Sequence, residues 1–75
     1  MPHISVSMFP GRDDETKQDI AEKLQKFYVE TFGTDEEAVS VSIVEIPGDE
    51  FQETIQQRYR PEELYIASRA IPKPE

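Results

Sequence analysis

Two runs of alternating apolar and polar residues, separated by one long helix-favouring stretch, constrain the fold of this chain more than anything else in it. His3-Ile4-Ser5-Val6-Ser7-Met8 and Val39-Ser40-Val41-Ser42-Ile43-Val44-Glu45-Ile46 both carry the period-two pattern of half-buried strands. Between them, Asp13 or Asp14 can cap a helix running to about Phe32, with Ile20, Leu24, Phe27, Tyr28 and Phe32 on one stripe. Gly33 is the expected residue of positive φ just beyond its end. Phe9-Pro10-Gly11 ends the first strand and Pro47-Gly48 the second. Strands joined by a helical crossover cannot pair as a hairpin, so they are expected as parallel neighbours in a right-handed unit. The expected class is therefore α+β, a β-α-β unit with parallel strands. Ile4, Val6, Met8, Val39, Val41 and Ile43 should meet Ile20, Leu24 and Phe27 of the helix. Ser5, Ser7, Ser40 and Ser42 then line the opposite face.

The remaining segments are less regular. Thr34-Asp35-Glu36-Glu37 fits a capping box for one short turn. Phe51, Ile55 and Tyr59 recur at i, i+4 and i+8, the spacing of a helical C-terminal segment. Pro61 interrupts it, Glu62-Glu63 can start a further turn, and Leu64-Tyr65-Ile66-Ala67 reads as the end of that helix or a short strand. Pro72 and Pro74 leave a frayed end. With no linker and no repeat, residues 1–75 read as a single domain.

Composition narrows the function. A chain of 75 residues buries a small core and is marginal without staples or partners. It has no cysteine, so disulfides and thiolate metal sites are excluded, and its one histidine, His3, has no set of carboxylates spaced to share a metal. Oligomerisation is the expected route to stability. The net charge of −8 argues against nucleic acid and against anionic membrane surfaces. The acids Asp13-Asp14-Glu15, Asp35-Glu36-Glu37 and Asp49-Glu50 fall at expected helix starts, where the dipole favours them. An anionic small molecule would have to be held by Arg12, Arg58, Arg60 or Arg69. No run approaches the ~20 apolar residues of a membrane span and no signal peptide is discernible, so the expected location is the cytoplasm.

Pro2, directly behind Met1, carries the chemistry. Removal of Met1 turns its nitrogen into a rigid secondary amine. An α-amino group of pKa about 7.7–8.0 needs only modest desolvation or a nearby cation to be a neutral base at pH 7.

With Met1-Pro2, the run Gly11-Arg12-x-Asp14-Glu15-x-Lys17, a single long helix and the second strand ending in Val44-Glu45-Ile46, the chain resembles the 4-oxalocrotonate tautomerases over roughly residues 2–51. The opening Pro2-His3-Ile4, the Phe9-Pro10 pair and the longer helical tail look more like the family's small bacterial homodimeric branch than its hexameric founders. The resemblance implies a cofactor-independent keto-enol tautomerase. Pro2 would be the general base, Arg12 would hold a substrate carboxylate, and Phe51 would shape a dry pocket or serve as a core aromatic. No cofactor or metal is implied, because the substrate's own carbonyl delocalises the charge. The implied substrate is a small 2-oxo or enol carboxylate such as an aryl pyruvate.

The sequence departs from the family where the founders place a second arginine in the second strand; here that position is Ser40. Arg58, Arg60, Arg69 or His3 would have to replace it, or the substrate differs. His3 reads as an acid or pocket residue, or as a half-exposed strand residue. Tyr28 reads as core, with the roles of Tyr59 and Tyr65 open. Two other functions stay in view: a non-catalytic acidic interaction module, and dehalogenase or hydratase chemistry on the same fold. Edge pairing with a second copy is expected to extend the sheet. The serine-lined face gains little from burial, which favours a homodimer with a hexamer as runner-up.

Overall fold

A computed structural model of the protein describes residues 1–73. Strand β1 (His3–Met8) leads through helix α1 (Asp14–Phe32) and a 3-10 turn (Glu36–Ala38) to strand β2 (Ser40–Glu45). Helix α2 (Gly48–Arg58) and a second 3-10 turn (Pro61–Glu63) follow. The two strands pair in parallel, from His3 opposite Ser40 to Met8 opposite Glu45. The fold is thus the expected β-α-β unit with a helical C-terminal segment.

Local chemistry sets the boundaries. Asp13 caps α1 by accepting a 2.9 Å hydrogen bond from the Thr16 amide. Gly33 ends it at φ 66°, its amide donating to the Val29 carbonyl at 2.9 Å. Residues paired across a parallel sheet share a face. Ile4, Val6 and Met8 therefore lie with Val41, Ile43 and Glu45 on the side of α1, while His3, Ser5 and Ser7 lie with Ser40, Ser42 and Val44 on the open side. Gln25 ties helix to strand by donating to the Glu36 and Val39 carbonyls at 3.1 and 3.2 Å.

The core is very small. Among the described residues only Val39 and Ile46, at the two ends of β2, are buried, each 5% exposed. Ile20, Leu24 and Tyr28 are half-buried against the sheet. Phe27, expected to meet the strands, is instead 66% exposed, and Phe32 is 65% exposed. A sheet of two strands about 4.8 Å apart is narrower than the helix's apolar stripe, so Phe27 falls past its edge. Phe32 lies in the last turn and tilts against Tyr28, with ring centroids 4.5 Å apart.

Two further expectations are corrected. The turn at Glu36–Ala38 forms, but Asp35 is its N-cap and makes no side-chain capping bond. The turn starts one residue later than the capping box requires, which puts Ala38, with no acceptor, at the reciprocal position. Leu64-Tyr65-Ile66-Ala67 is neither helix nor strand, and Tyr65 and Ile66 are each 87% exposed. The run joins neither edge of the two-stranded sheet, so its backbone gains no ladder hydrogen bonds. Pro74 lies outside the described residues. Among the described residues no helix is long and apolar enough to cross a membrane.

Candidate active site

The four residues singled out in the sequence fall into two groups at opposite ends of the sheet. Pro2 and Ser40 are at one end, where the Ser40 amide donates to the Pro2 carbonyl at 3.2 Å. Pro2 is half-buried, whereas Met1 before it is wholly exposed. Arg12 and Phe51 are at the other end, past the last residue of β1. Six strand residues separate Pro2 from the loop that carries Arg12, a span of roughly 20 Å at the usual rise per residue. One chain therefore does not bring its proline and its arginine together.

At the Pro2 end a polar network covers the open face. His3 Nδ1 lies 2.7 Å from Ser40 Oγ and His3 Nε2 lies 2.9 Å from Ser42 Oγ. Ser42 donates onward to Ser5 Oγ at 3.5 Å. His3 is thus an exposed strand residue with both ring nitrogens engaged.

At the other end the geometry is built around Glu45. Its Oε2 accepts from the Gly11 amide at 3.1 Å and its Oε1 from Lys17 Nζ at 2.8 Å. The Lys17 ammonium, with the Gly11 and Arg12 amides, holds the Glu45 carboxyl below the usual glutamate range. Glu45 in turn holds the Lys17 ammonium above the usual lysine range. Gly11 has φ 126°, a region that L side chains rarely adopt, so the sharp turn ahead of Arg12 requires glycine. Arg12 is exposed and makes no ion pair among the described residues. Phe51, in the first turns of α2, is half-buried and meets Phe9 edge to face, with centroids 4.9 Å apart at 88°.

The pairing of Lys17 with Glu45 escaped the sequence reading, although a signal was there. A lysine near the N-terminus of a helix opposes the helix dipole and needs an acid to hold it. Of the other arginines considered, Arg60 is engaged by Glu62 and Glu63, each at 3.4 Å. An apolar pocket of about 250 Å³ lies between α2 and the tail, among Ile55, Tyr59, Leu64 and Ile71, apart from both groups. Among the described residues no three acids or histidines converge as a metal site.

A parallel βαβ unit that opens on a proline is the architecture expected of a tautomerase. The chain belongs to the 4-oxalocrotonate tautomerase family, matching the family described as tautomerase enzyme over residues 2–53. It is 34% identical over 74 residues to a probable tautomerase of Xylella fastidiosa (strain 9a5c), a match covering 99% of this chain and 87% of that one. It is 39% identical over 51 residues to the 2-hydroxymuconate tautomerase of Bacillus subtilis (strain 168), covering 68% of this chain and 82% of the relative. Among solved structures it is similar to YwhB, a homologue of 4-oxalocrotonate tautomerase, with a TM-score of 0.61 and 40% identity. That match covers 64% of this chain and 79% of the other. The protein is accordingly an isomerase of the tautomerase type.

Proposed function

We propose that this tautomerase uses Pro2, freed of Met1, as the general base that moves a proton between the enol oxygen and the carbon of a small 2-oxo or enol carboxylate such as an aryl pyruvate. The observation that carries the reading is the setting of Pro2. Its carbonyl is fixed into the sheet by Ser40, while its nitrogen bears only the wholly exposed Met1. Met1 is thus accessible for removal. While Met1 is attached, the nitrogen is a tertiary amide with no basicity. Once Met1 is removed, it is an amine on a rigid ring, able to accept a proton from the enol O–H and return it to carbon. No cofactor takes part in this scheme, because the substrate's carbonyl carries the charge between the two transfers.

Arg12 supplies the complementary group, since a guanidinium binds a carboxylate through two parallel N–H···O bonds. Phe51 and Phe9 give the arginine end an apolar wall. Because Pro2 and Arg12 of one chain are at opposite ends of the sheet, the site is completed between two copies, one giving its proline end and the other its arginine end. A second copy also supplies what the lone chain lacks. Among the described residues the sheet has unpaired edges, the core contains two buried residues, and Ser7 Oγ is buried on the open side with no partner. We assign the assembly as a homodimer acting as one domain per chain in the cytoplasm.

The test is an enol-ketonisation assay on protein fractions whose intact mass shows Met1 removed or retained. The Met-free fraction should carry the activity. Equal specific activity in both fractions would rule out the Pro2 amine as base.

A further inference from the structure

We propose that Glu45, itself held by Lys17, is a positioning residue that fixes the loop presenting Arg12 and so sets how tightly the carboxylate substrate binds. This inference rests on the reading of Arg12 as the carboxylate-holding group.

Three observations carry it. First, both oxygens of one carboxylate are used: Oε2 on the Gly11 amide at 3.1 Å and Oε1 on Lys17 Nζ at 2.8 Å. Glu45 stands opposite Met8, the last residue of β1, where the strand gives way to the loop. Its side chain therefore closes a ring that runs from the end of β2 to the turn before Arg12 and on to the first turn of α1.

Second, this ion pair is unlike the others on the molecule. The Lys17 and Glu45 side chains are 23% and 31% exposed, against 75% and 60% for Lys23 and Asp19. An exposed pair such as the latter contributes little. A half-covered pair that also accepts a backbone amide is pinned in one geometry.

Third, the loop needs an outside anchor. An added Cβ at Gly11 would meet nothing within 4 Å, so no side chain packs over the Gly11 backbone, and past the Phe9–Phe51 contact it is the Glu45 carboxylate that holds the turn. Arg12 follows at once, its side chain exposed and without an ion pair among the described residues. A flexible guanidinium on a loose loop would lose both backbone and side-chain freedom on binding a carboxylate. On an anchored loop it loses only the side chain's share. The anchor therefore acts on binding, through Arg12, and leaves the proton transfer at Pro2 alone.

The experiment is a mutant cycle on the Met-free protein, with kcat and KM measured for a 2-oxo carboxylate, using Glu45→Gln, Lys17→Met, Arg12→Ala and the double variant Glu45→Gln with Arg12→Ala. Each of the two anchor variants should raise KM about three- to tenfold, with kcat within about twofold of the parent. Arg12→Ala should raise KM further, and adding Glu45→Gln to it should change KM by less than about 1.5-fold, as expected when one residue acts through the other. Lys17→Met, alone and combined with Arg12→Ala, carries the same comparison if circular dichroism shows that Glu45→Gln does not fold. An unaltered KM in the anchor variants, or an equal rise with and without Arg12, overturns the positioning role while leaving Arg12 in place. An unaltered KM in Arg12→Ala overturns the reading of Arg12 itself, and the positioning role with it.

Discussion

His3 Nδ1 lies 2.7 Å from Ser40 Oγ, so the hydroxyl at the position where the founding tautomerases are expected to carry an arginine is already in use. A hydroxyl committed to an imidazole has little left to offer a second substrate carboxylate. Ser40→Arg would place a guanidinium on the open face beside the proline end, with five N–H donors suited to a carboxylate. His3 keeps its bond to Ser42 in that variant. Activity on a 2-oxo dicarboxylate should rise about tenfold or more in kcat/KM, while an aryl pyruvate changes by less than about threefold. Parallel changes for both substrates would show that this position does not select the substrate.

Pro2→Ala should lower ketonisation by about 10²-fold or more, the size of a positioned base. The variant still offers an N-terminal amine, but a primary one on a freely turning backbone. Its carbonyl can still accept the Ser40 amide, so the strand register should survive. A rate within a few-fold of the parent, in a variant with unchanged circular dichroism, would remove the ring nitrogen from the reaction.

Glu45 also ties the fold to pH. Its carboxyl is held below the usual glutamate range in the folded chain, first by Lys17. A group with a lowered folded pKa contributes stability that is full above its unfolded value and fades as pH falls through the folded one. The melting temperature of the parent should therefore exceed that of Glu45→Gln near pH 7, and the gap should close as pH drops through and below the ordinary glutamate range. Lys17, raised by the same contact, loses its share only when pH climbs past the ordinary lysine range. A gap that stays constant from neutral to acid pH would show that the ion pair contributes nothing to folding.

Much of the fold was legible because short-range rules decided it. Alternation fixed both strands and the faces of Ile4, Val6, Val41 and Ile43; the cap was narrowed to Asp13 or Asp14, of which Asp13 serves, and the turn at Gly33 followed from its freedom to take positive φ. What local rules could not supply was the width of what the helix packs against. Phe27 belongs to a stripe that a two-stranded sheet is too narrow to cover, and Leu64 to Ala67 join neither free edge of that sheet. In the candidate site the residue types at Pro2, Arg12, Ser40 and Phe51 were readable from the sequence. The separation of Pro2 from Arg12 follows from the strand between them, whereas the placing of Ser40 beside Pro2 needed the parallel register, which the residue pattern alone does not fix. The Lys17–Glu45 contact joins residues 28 apart in sequence, a distance that periodicity does not span.

That division makes the shared site the claim on which the rest depends, and complementation tests it directly. Pro2→Ala and Arg12→Ala should each be nearly inactive at substrate concentrations far below KM. Co-expressed or refolded together as a homodimer-forming pair, half of the dimers would be mixed, and each mixed dimer would own one site with both an intact proline and an intact arginine. The mixture should recover activity to about a quarter of the parent, the value for random pairing of two-fold symmetric dimers. Activity no greater than the mean of the two variants would contradict the account, because it would mean that Pro2 and Arg12 of the same chain serve the same site.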